Sequence, residues 1–366
     1  MIGVFMEGKK IALIPWDESI RENNIFIEKY KNYVDSHILL KRAFEKKRME
    51  INTIDMYNDL REVDCFLFFS ISYKWLNKII KLGLQGKTVY CSGEPAVVKP
   101  ENSKEGYQKL LKIFAYILTW NDDLVDNLRI FKRNIPYHFV KSYGDVPFEK
   151  RKLLTNISGN KSSNGAYELY SEREKVISYF EKYYPENIDL YGTNWDINVH
   201  PSYKGMVDSK TDTYHNYKFA LSLENTYNVR GYITEKIFDC FTAGIVPIYK
   251  GASNINDFIP KNCYINYDDF ASISEMAEFL MKMSEGKYKE YLAAIDLFLN
   301  SDTLYNFSSE LFCDYICTVA CRKEEVIIKV PKHYRIFLKL REWRERKKKL
   351  QMRCRKFIKN SLKLFC

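Results

Sequence analysis

Long apolar runs are missing from this chain of 366 residues. No stretch approaches the roughly 18 apolar residues a membrane-spanning helix needs, so none is expected. Cysteines at metal or redox spacing are missing too. The nine cysteines are odd in number and include no Cys-x-x-Cys pair. The opening MIGVFMEGKK has a short apolar stretch before its charges, too short and in the wrong order for a secretory leader. A reducing cytosol with free, mostly buried thiols is the expectation. Cys313, Cys317 and Cys321 recur every four residues, which puts them on one helix face as core side chains. Histidine is scarce: the five (37, 138, 200, 215 and 333) form no motif. Internal repeats are absent, and so are low-complexity tracts before residue 335.

What is present is ordinary for a folded protein. Apolar residues make up 46% and charged residues 28%, a balance that excludes intrinsic disorder. The length suggests about two domains, enough to bury a core without disulfide or metal staples. The net charge of +10 points first to nucleic acid or membrane. Its distribution points elsewhere. Residues 335–366 hold 13 basic and two acidic side chains, a net +11, which leaves −1 for residues 1–334. The body is near neutral and the tail carries the excess.

Along the body, apolar runs alternate with helical patterns. Residues 9–16, 51–56, 63–72, 87–95 and 113–121 read as buried strands, with helices over 25–47 and 74–84. A polar, proline-containing stretch from 136 to 152 follows as a linker. The alternation then restarts with strands at 153–161, 188–192, 217–225 and 245–251, and helices at 171–184, 233–244, 272–283 and 285–299. Ser171 and Glu174 have the spacing of a capping box for the first of these helices. The expected fold is α/β: two Rossmann-like domains facing a cleft, plus a basic amphipathic C-terminal helix. The expected division is 1–150, 151–334 and a tail of 335–366. Ligands of such sheets bind at the carboxyl ends of strands, so the loops after strands are where chemistry belongs.

The most informative stretch is YKFALSLENTYNVRGYITEKIFDCFTAGIVPIYKGASNINDFIP, residues 217–260. It reads as strand, polar loop, helix, strand. Thr234 is a good N-cap, followed by Glu235 and Lys236 in the first turn. A helix N-terminus favours phosphate, Lys236 adds a full charge, and Glu235 suits ribose hydroxyls. By spacing alone the same residues also suit a capped surface helix. The segment resembles the donor-binding motif of glycosyltransferase family 10, the α-1,3-fucosyltransferases. Phe219, Leu221, Glu224, Asn225, Gly231, Tyr232, Thr234, Glu235 and Lys236 carry the resemblance, with Pro247, Ile248, Tyr249, Gly251, Asp257, Phe258 and Pro260 beyond them. It extends more thinly over about 60–322, through the Gly-Glu-Pro turn at 93–95, ILTWN at 117–121 and LYSEREKVISYF at 169–180.

The resemblance implies the two-domain arrangement called GT-B, with GDP-fucose on the C-terminal half and the acceptor on the N-terminal half. It implies that Glu235 binds the ribose, that Lys236 and Arg173 neutralise the diphosphate, and that Asn225 and Tyr232 line the donor site. Glu94 is then the general base, in a turn that otherwise reads as merely a turn. The implied reaction is inverting transfer of L-fucose from GDP-β-L-fucose to a GlcNAc hydroxyl, α-1,3, in a cell-surface glycan such as lipopolysaccharide O-antigen. Another GDP-sugar or an α-1,4 linkage is the alternative. No Asp-x-Asp triplet exists, so no obligatory metal or other cofactor is expected: the cations and the helix end do that electrostatic work. Asp122-Asp123 and Asp268-Asp269 read as turns or caps. Two features depart from the pattern: the loop between Asn225 and Glu235 is one residue longer than in bacterial members of that family, and Lys250 stands where an aromatic is often seen.

In the tail, Ile336, Trp343, Leu350, Phe357 and Leu364 repeat every seven residues, with Leu340 and Cys354 on the same stripe and Lys or Arg elsewhere. This is the pattern of an interfacial helix on an anionic membrane. It implies a peripheral protein on the inner face of the cell membrane, with the tail dispensable for folding. A coiled-coil seam, a nucleic-acid arm or a merely solvated tail are the alternatives. The near-neutral body argues against nucleic acid as a partner.

Overall fold

The computed structural model describes residues 8–17, 19–27, 35–320, 322 and 326–362. Six strands form the first sheet: β1 (Lys10–Ile14), β2 (Glu50–Thr53), β3 (Cys65–Phe68), β4 (Thr88–Cys91), β5 (Tyr116–Thr119) and β6 (Ile130–Lys132). All pair in parallel, in the order β2-β1-β3-β4-β5-β6. Helices α1 (Asp35–Lys46), α2 (Tyr73–Lys81) and α3 (Lys104–Leu110) connect them. Residues 28–34 of the expected 25–47 helix lie outside the described residues.

The second sheet is also parallel, ordered β11-β10-β9-β7-β8. Its strands are β7 (Lys152–Ile157), β8 (Ile188–Tyr191), β9 (Tyr217–Leu223), β10 (Val246–Lys250) and β11 (Ile265–Asn266). Helices α4 (Tyr170–Tyr183), α5 (Lys210–Tyr214), α6 (Glu235–Ala243), α7 (Ile273–Lys282) and α8 (Glu285–Leu299) accompany them. The continuous apolar runs read from the sequence are the central strands: β3, β4 and β5 are buried at every residue. The strand order reverses between β1 and β3 and again between β7 and β9. Each sheet therefore has the switch-point crevice where α/β ligands bind.

Two features differ from expectation. Ser171 does not cap α4. The carboxylate of Glu168 accepts from the N–H groups of Tyr170 (2.7 Å) and Ser171 (3.1 Å) instead. Glu174, the other half of the expected box, turns to His200 at 3.0 Å. An acidic side chain just outside the helix satisfies the free amides as well as a hydroxyl does, and adds a favourable charge.

The second difference concerns the C-terminal residues. Helix α9 (Ser309–Ala320) packs along α1, and α10 (Lys332–Leu362) packs along α2. Phe312, Cys313, Ile316, Cys317, Ile328, Val330 and Leu338 are all buried in the core of the first sheet. Residues 309–338, which the sequence reading divides between the second half and the tail, thus return to the first half. The i, i+4 cysteines form the expected buried face, with Cys313 Sγ 3.9 Å from Cys317 Sγ; Cys321 lies outside the described residues.

The first turns of the tail therefore pack on the first half. Leu338 is fully buried, Asn77 donates to Glu342 at 2.7 Å, and the Tyr73 and Phe337 rings meet edge to face at 6.5 Å. Leu338→Ala should lower stability by about 2–5 kcal/mol, the usual cost of a large-to-small core change. Truncation after Arg346 keeps Leu338 and Glu342 and should leave the melting temperature within a degree or two of wild type, whereas truncation before Arg335 should lower it. Calorimetric melting of the three variants checks this.

Candidate active site

The site forms where the end of β9 meets the start of α6. Glu224 follows β9 and is wholly buried. Its carboxylate accepts from the Thr234 N–H (2.8 Å), the Thr234 hydroxyl (2.8 Å) and the Lys236 ammonium (2.9 Å). A buried carboxylate is tolerable only with such partners. Here they are the N-cap of α6 and the cation of its first turn, so one side chain ties strand to helix. Gly251 makes room for it: a Cβ there would lie 2.6 Å from Glu224 Cγ. Burial opposes the charge on Lys236, but Glu224 and Glu235 outweigh it and hold the ammonium above its ordinary pKa.

Glu235 opens α6 at the positive end of the helix. Its partial burial favours the neutral form, but the charges of Lys236 and Lys210 outweigh this and pull the carboxyl down to about 2. Arg173, on α4, is buried beside the same strand end. Its Nη2 donates to the carbonyls of Leu223 (2.8 Å) and Glu224 (3.3 Å), and its guanidinium lies 5.6 Å from the centre of the Tyr170 ring. Burial pushes its pKa down. Arg173 thus braces the strand end at the β7/β9 switch point. Of the two cations expected here, Lys236 is balanced by Glu224 and Glu235, and Arg173 donates to backbone carbonyls; Lys210, not singled out in the sequence, joins them and pairs with Asp239 at 2.8 Å.

Asn225 comes next, and it reaches the other half of the molecule. Its Nδ2 donates to the Tyr232 hydroxyl at 3.3 Å and lies 3.5 Å from Glu94 Oε2. Glu94 sits in the turn after β4, half-buried. All six residues singled out in the sequence are therefore gathered around one strand–helix junction and the turn that faces it. The loop between them is fixed from both sides. Leu169 N donates to Asn225 O (3.2 Å), and the Thr226 hydroxyl donates to Tyr167 O (2.9 Å). Gly231, at φ +83, passes so close to the first half that a Cβ would sit 2.3 Å from Trp120 O. That combination of positive φ and contact admits only glycine.

Three neighbours of the site carry no role in the sequence reading. Glu224 was visible in the motif, and its signal is an acid ending an apolar strand with a lysine twelve residues on. Trp120 packs on Tyr232 with ring centres 4.5 Å apart. Asp122, expected to be a solvated turn or cap, is half-buried between the halves: it takes the Lys132 ammonium and accepts from Asn254 Nδ2 at 3.0 Å. Only the folded chain brings these together. Lys250, the departure from the pattern, lies over Tyr227 (4.8 Å) and Tyr267 (5.1 Å) and pairs with Asp268. His215 is bonded to the Ser142 carbonyl at 2.6 Å, on the connecting segment between the halves. Among the described residues no cluster of His, Cys, Asp and Glu is arranged to hold a metal ion.

Two parallel α/β halves whose strand ends face each other, with a helix N-terminus and a carboxylate at the junction, define a GT-B glycosyltransferase fold. The family model for the C-terminal part of glycosyltransferase family 10 (fucosyltransferase) matches residues 149–343, and the chain belongs to that family. A crystal structure of an α1,3-fucosyltransferase superposes with a TM-score of 0.56 at 17% identity, covering 89% of this chain and 93% of that one. The same comparison with a structure titled as holding GDP-fucose gives 0.52 at 17% identity over 87% and 92%. Among sequences, an α-(1,4)-fucosyltransferase of Arabidopsis thaliana is 43% identical over 79 residues, 21% of this chain and 20% of its own length. Human 4-galactosyl-N-acetylglucosaminide 3-α-L-fucosyltransferase 9 is 30% identical over 178 residues, 47% of this chain and 45% of its own. The chain thus spans less than half the length of these curated relatives.

The charge arrangement has a measurable consequence. The Glu235 carboxyl is more acidic folded, near 2, than its ordinary value of 4.5. Its contribution to stability is therefore complete above about pH 4.5 and disappears as pH falls toward 2. Glu235→Gln should melt below wild type at neutral pH, and the gap should close on acidification over that window. Melting curves from pH 7 down to the lowest pH at which both proteins fold test this, and a gap that widens on acidification contradicts it.

Proposed function

We propose that this protein is an inverting fucosyltransferase that moves L-fucose from GDP-β-L-fucose to a GlcNAc hydroxyl, with no obligatory metal. The observation that carries the proposal is the Asn225 amide, which reaches both the Glu94 carboxylate of the first half and the Tyr232 hydroxyl of the donor loop. It sets a base against the mouth of a phosphate-suited helix. In this reading the acceptor hydroxyl gives its proton to Glu94 as its oxygen attacks the anomeric carbon. The bond from that carbon to the β-phosphate oxygen breaks, and the electron pair leaves with GDP. Lys236 and the amides of α6 stabilise the growing phosphate charge. Glu235 holds the ribose. Arg173 supports the diphosphate both by its charge and by fixing the strand end from which Asn225 projects.

Support for the donor comes from the family and from the fold shared with a fucosyltransferase bound to GDP-fucose. The acceptor is proposed as a GlcNAc-containing surface glycan, of which lipopolysaccharide O-antigen is the leading case. The relatives' names divide between α-1,3 and α-1,4 products, so α-1,4 transfer is the second reading. Incubation with GDP-fucose and N-acetyllactosamine should release GDP and yield a fucosylated product by mass spectrometry, with or without chelator. Glu94→Gln should lose about 10²–10⁴-fold in kcat, the typical worth of a general base, and still bind GDP. Chelator-sensitive activity restored only by a divalent cation overturns the metal-free mechanism. Near-normal turnover by Glu94→Gln removes Glu94 as base.

We also propose that α10 holds the protein on an anionic membrane surface, at the inner face of the cell membrane. No helix among the described residues is long and apolar enough to cross a membrane. Ile336, Leu340, Trp343 and Leu350 are each more than half exposed, while Leu338, on the opposite side of the helix, is fully buried. The apolar stripe thus points away from the body, flanked by Lys and Arg, and each basic residue near such a surface adds about 1 kcal/mol. The protein should float with phosphatidylglycerol vesicles, release at high salt, and ignore phosphatidylcholine vesicles. Failure to bind either kind rejects the membrane role.

A further inference from the structure

The turn that bears Glu94 is held in an unusual way. Three consecutive carbonyls, those of Ser92, Gly93 and Glu94, each accept a hydrogen bond from a side chain, and each side chain comes from a different element. Arg133, just past β6, donates to the Ser92 carbonyl through both Nε (3.2 Å) and Nη2. Trp120, just past β5, donates its indole N–H to the Gly93 carbonyl at 3.0 Å. Asn102, ahead of α3, donates its amide to the Glu94 carbonyl at 2.6 Å, and its own oxygen accepts from the Tyr90 hydroxyl at 2.8 Å. Arg133, Trp120, Asn102 and Tyr90 are all at least nine-tenths buried.

A turn leaving a parallel strand has carbonyls that the ladder no longer satisfies. Water ordinarily takes them, at no cost in side-chain order. Burying four large polar side chains to do this instead is expensive, because each must keep its partners in a place of low polarity. The arrangement fixes the three peptide planes on which the Glu94 Cα–Cβ direction depends. Trp120 also packs on Tyr232, whose hydroxyl accepts from Asn225, which reaches Glu94. A closed circuit of contacts therefore runs from the backbone of the turn, across to the donor loop, and back to the carboxylate.

Resting on the reading of Glu94 as the base, we propose that Arg133, Trp120 and Asn102, with Tyr90 behind Asn102, are positioning residues for that carboxylate. None of them is required to touch either substrate for this. They act through Glu94 by keeping its turn in one geometry while donor and acceptor exchange, which is the preorganisation a proton transfer at fixed distance needs.

The test is a set of double-mutant cycles on kcat, with GDP affinity measured by calorimetry. Asn102→Asp keeps the acceptor for Tyr90 but removes the donor to the Glu94 carbonyl. It should lower kcat by about 10–100-fold, the scale of a small misplacement of a reacting group, and leave GDP affinity and the KM for GDP-fucose unchanged. Tyr90→Phe, which keeps its ring in the core, should lower kcat about fivefold, the equivalent of one ordinary hydrogen bond. Arg133→Lys, which loses the paired donors, should fall between the two. Combined with Glu94→Gln, each should cost little more, because the group they position has gone. Wild-type kcat in Asn102→Asp and Tyr90→Phe, or an equal loss in both backgrounds, overturns the positioning role while leaving Glu94 as base. Normal turnover by Glu94→Gln alone overturns the base assignment, and the positioning role with it.

Discussion

The buried pair of Glu224 and Lys236 is the constraint from which the rest of the site follows. A carboxylate removed from water needs a full set of partners, and Glu224 finds them only in the first turn of α6. That requirement fixes the angle and distance at which α6 leaves the sheet. It brings the helix mouth over the strand end, puts Glu235 at the rim, and points Asn225, the next residue, across to the first half. A hydrophobic pair at 224 and 236 would pack the strand and helix equally well, but it would supply no cation at the mouth.

The pair also sets the local charge. Lys236 is already shared between two carboxylates, and Lys210 is matched by Asp239. Without donor, the junction is close to neutral, not the cationic well that a count of basic residues suggests. In the proposed reaction this arrangement suits a site that must release a nucleoside diphosphate, which carries more negative charge than the sugar-linked donor. A strongly positive pocket binds substrate and product alike and gains nothing in turnover, whereas charge that strengthens only as the leaving group develops contributes to rate. The helix amides, which are fixed and uncharged, fit that requirement better than a cluster of free lysines.

Much of this was legible in the sequence, for physical reasons. Parallel strands are buried on both faces, so β3, β4 and β5 announce themselves as unbroken apolar runs. Thr234-Glu235-Lys236 is a local capping pattern, and Gly244 closes α6 as expected. What was not legible is what depends on distant chain. Glu168 displaced Ser171 as the cap of α4, and no local rule ranks the two. The short strand β6 and helix α3 lack a strong period, yet their neighbourhoods supply Arg133 and Asn102. Asp122 looks like a turn residue until Lys132 and Asn254 close on it from two different places. The return of residues 309–338 to the first core was hidden for the same reason: an amphipathic helix declares that it has a buried face, not which sheet receives it.

That last point bears on the proposed role of the tail. A basic helix joined by a flexible linker tethers a protein without orienting it. Here α10 is clasped to α2 through Leu338, Phe337 and Glu342, and the same side chains that bury one face leave Ile336, Leu340, Trp343 and Leu350 on the other. The contacts that stabilise the first half thus determine which way the apolar stripe faces. In the proposed membrane-bound state the helix would fix the orientation of the half that carries Glu94, and with it the direction from which an acceptor anchored in the same surface would approach. Because α10 docks on the glutamate-bearing half and not on the half that carries α6, the proposed membrane contact would leave the second half free to exchange a GDP-sugar with solvent while the first half stays in register with the surface.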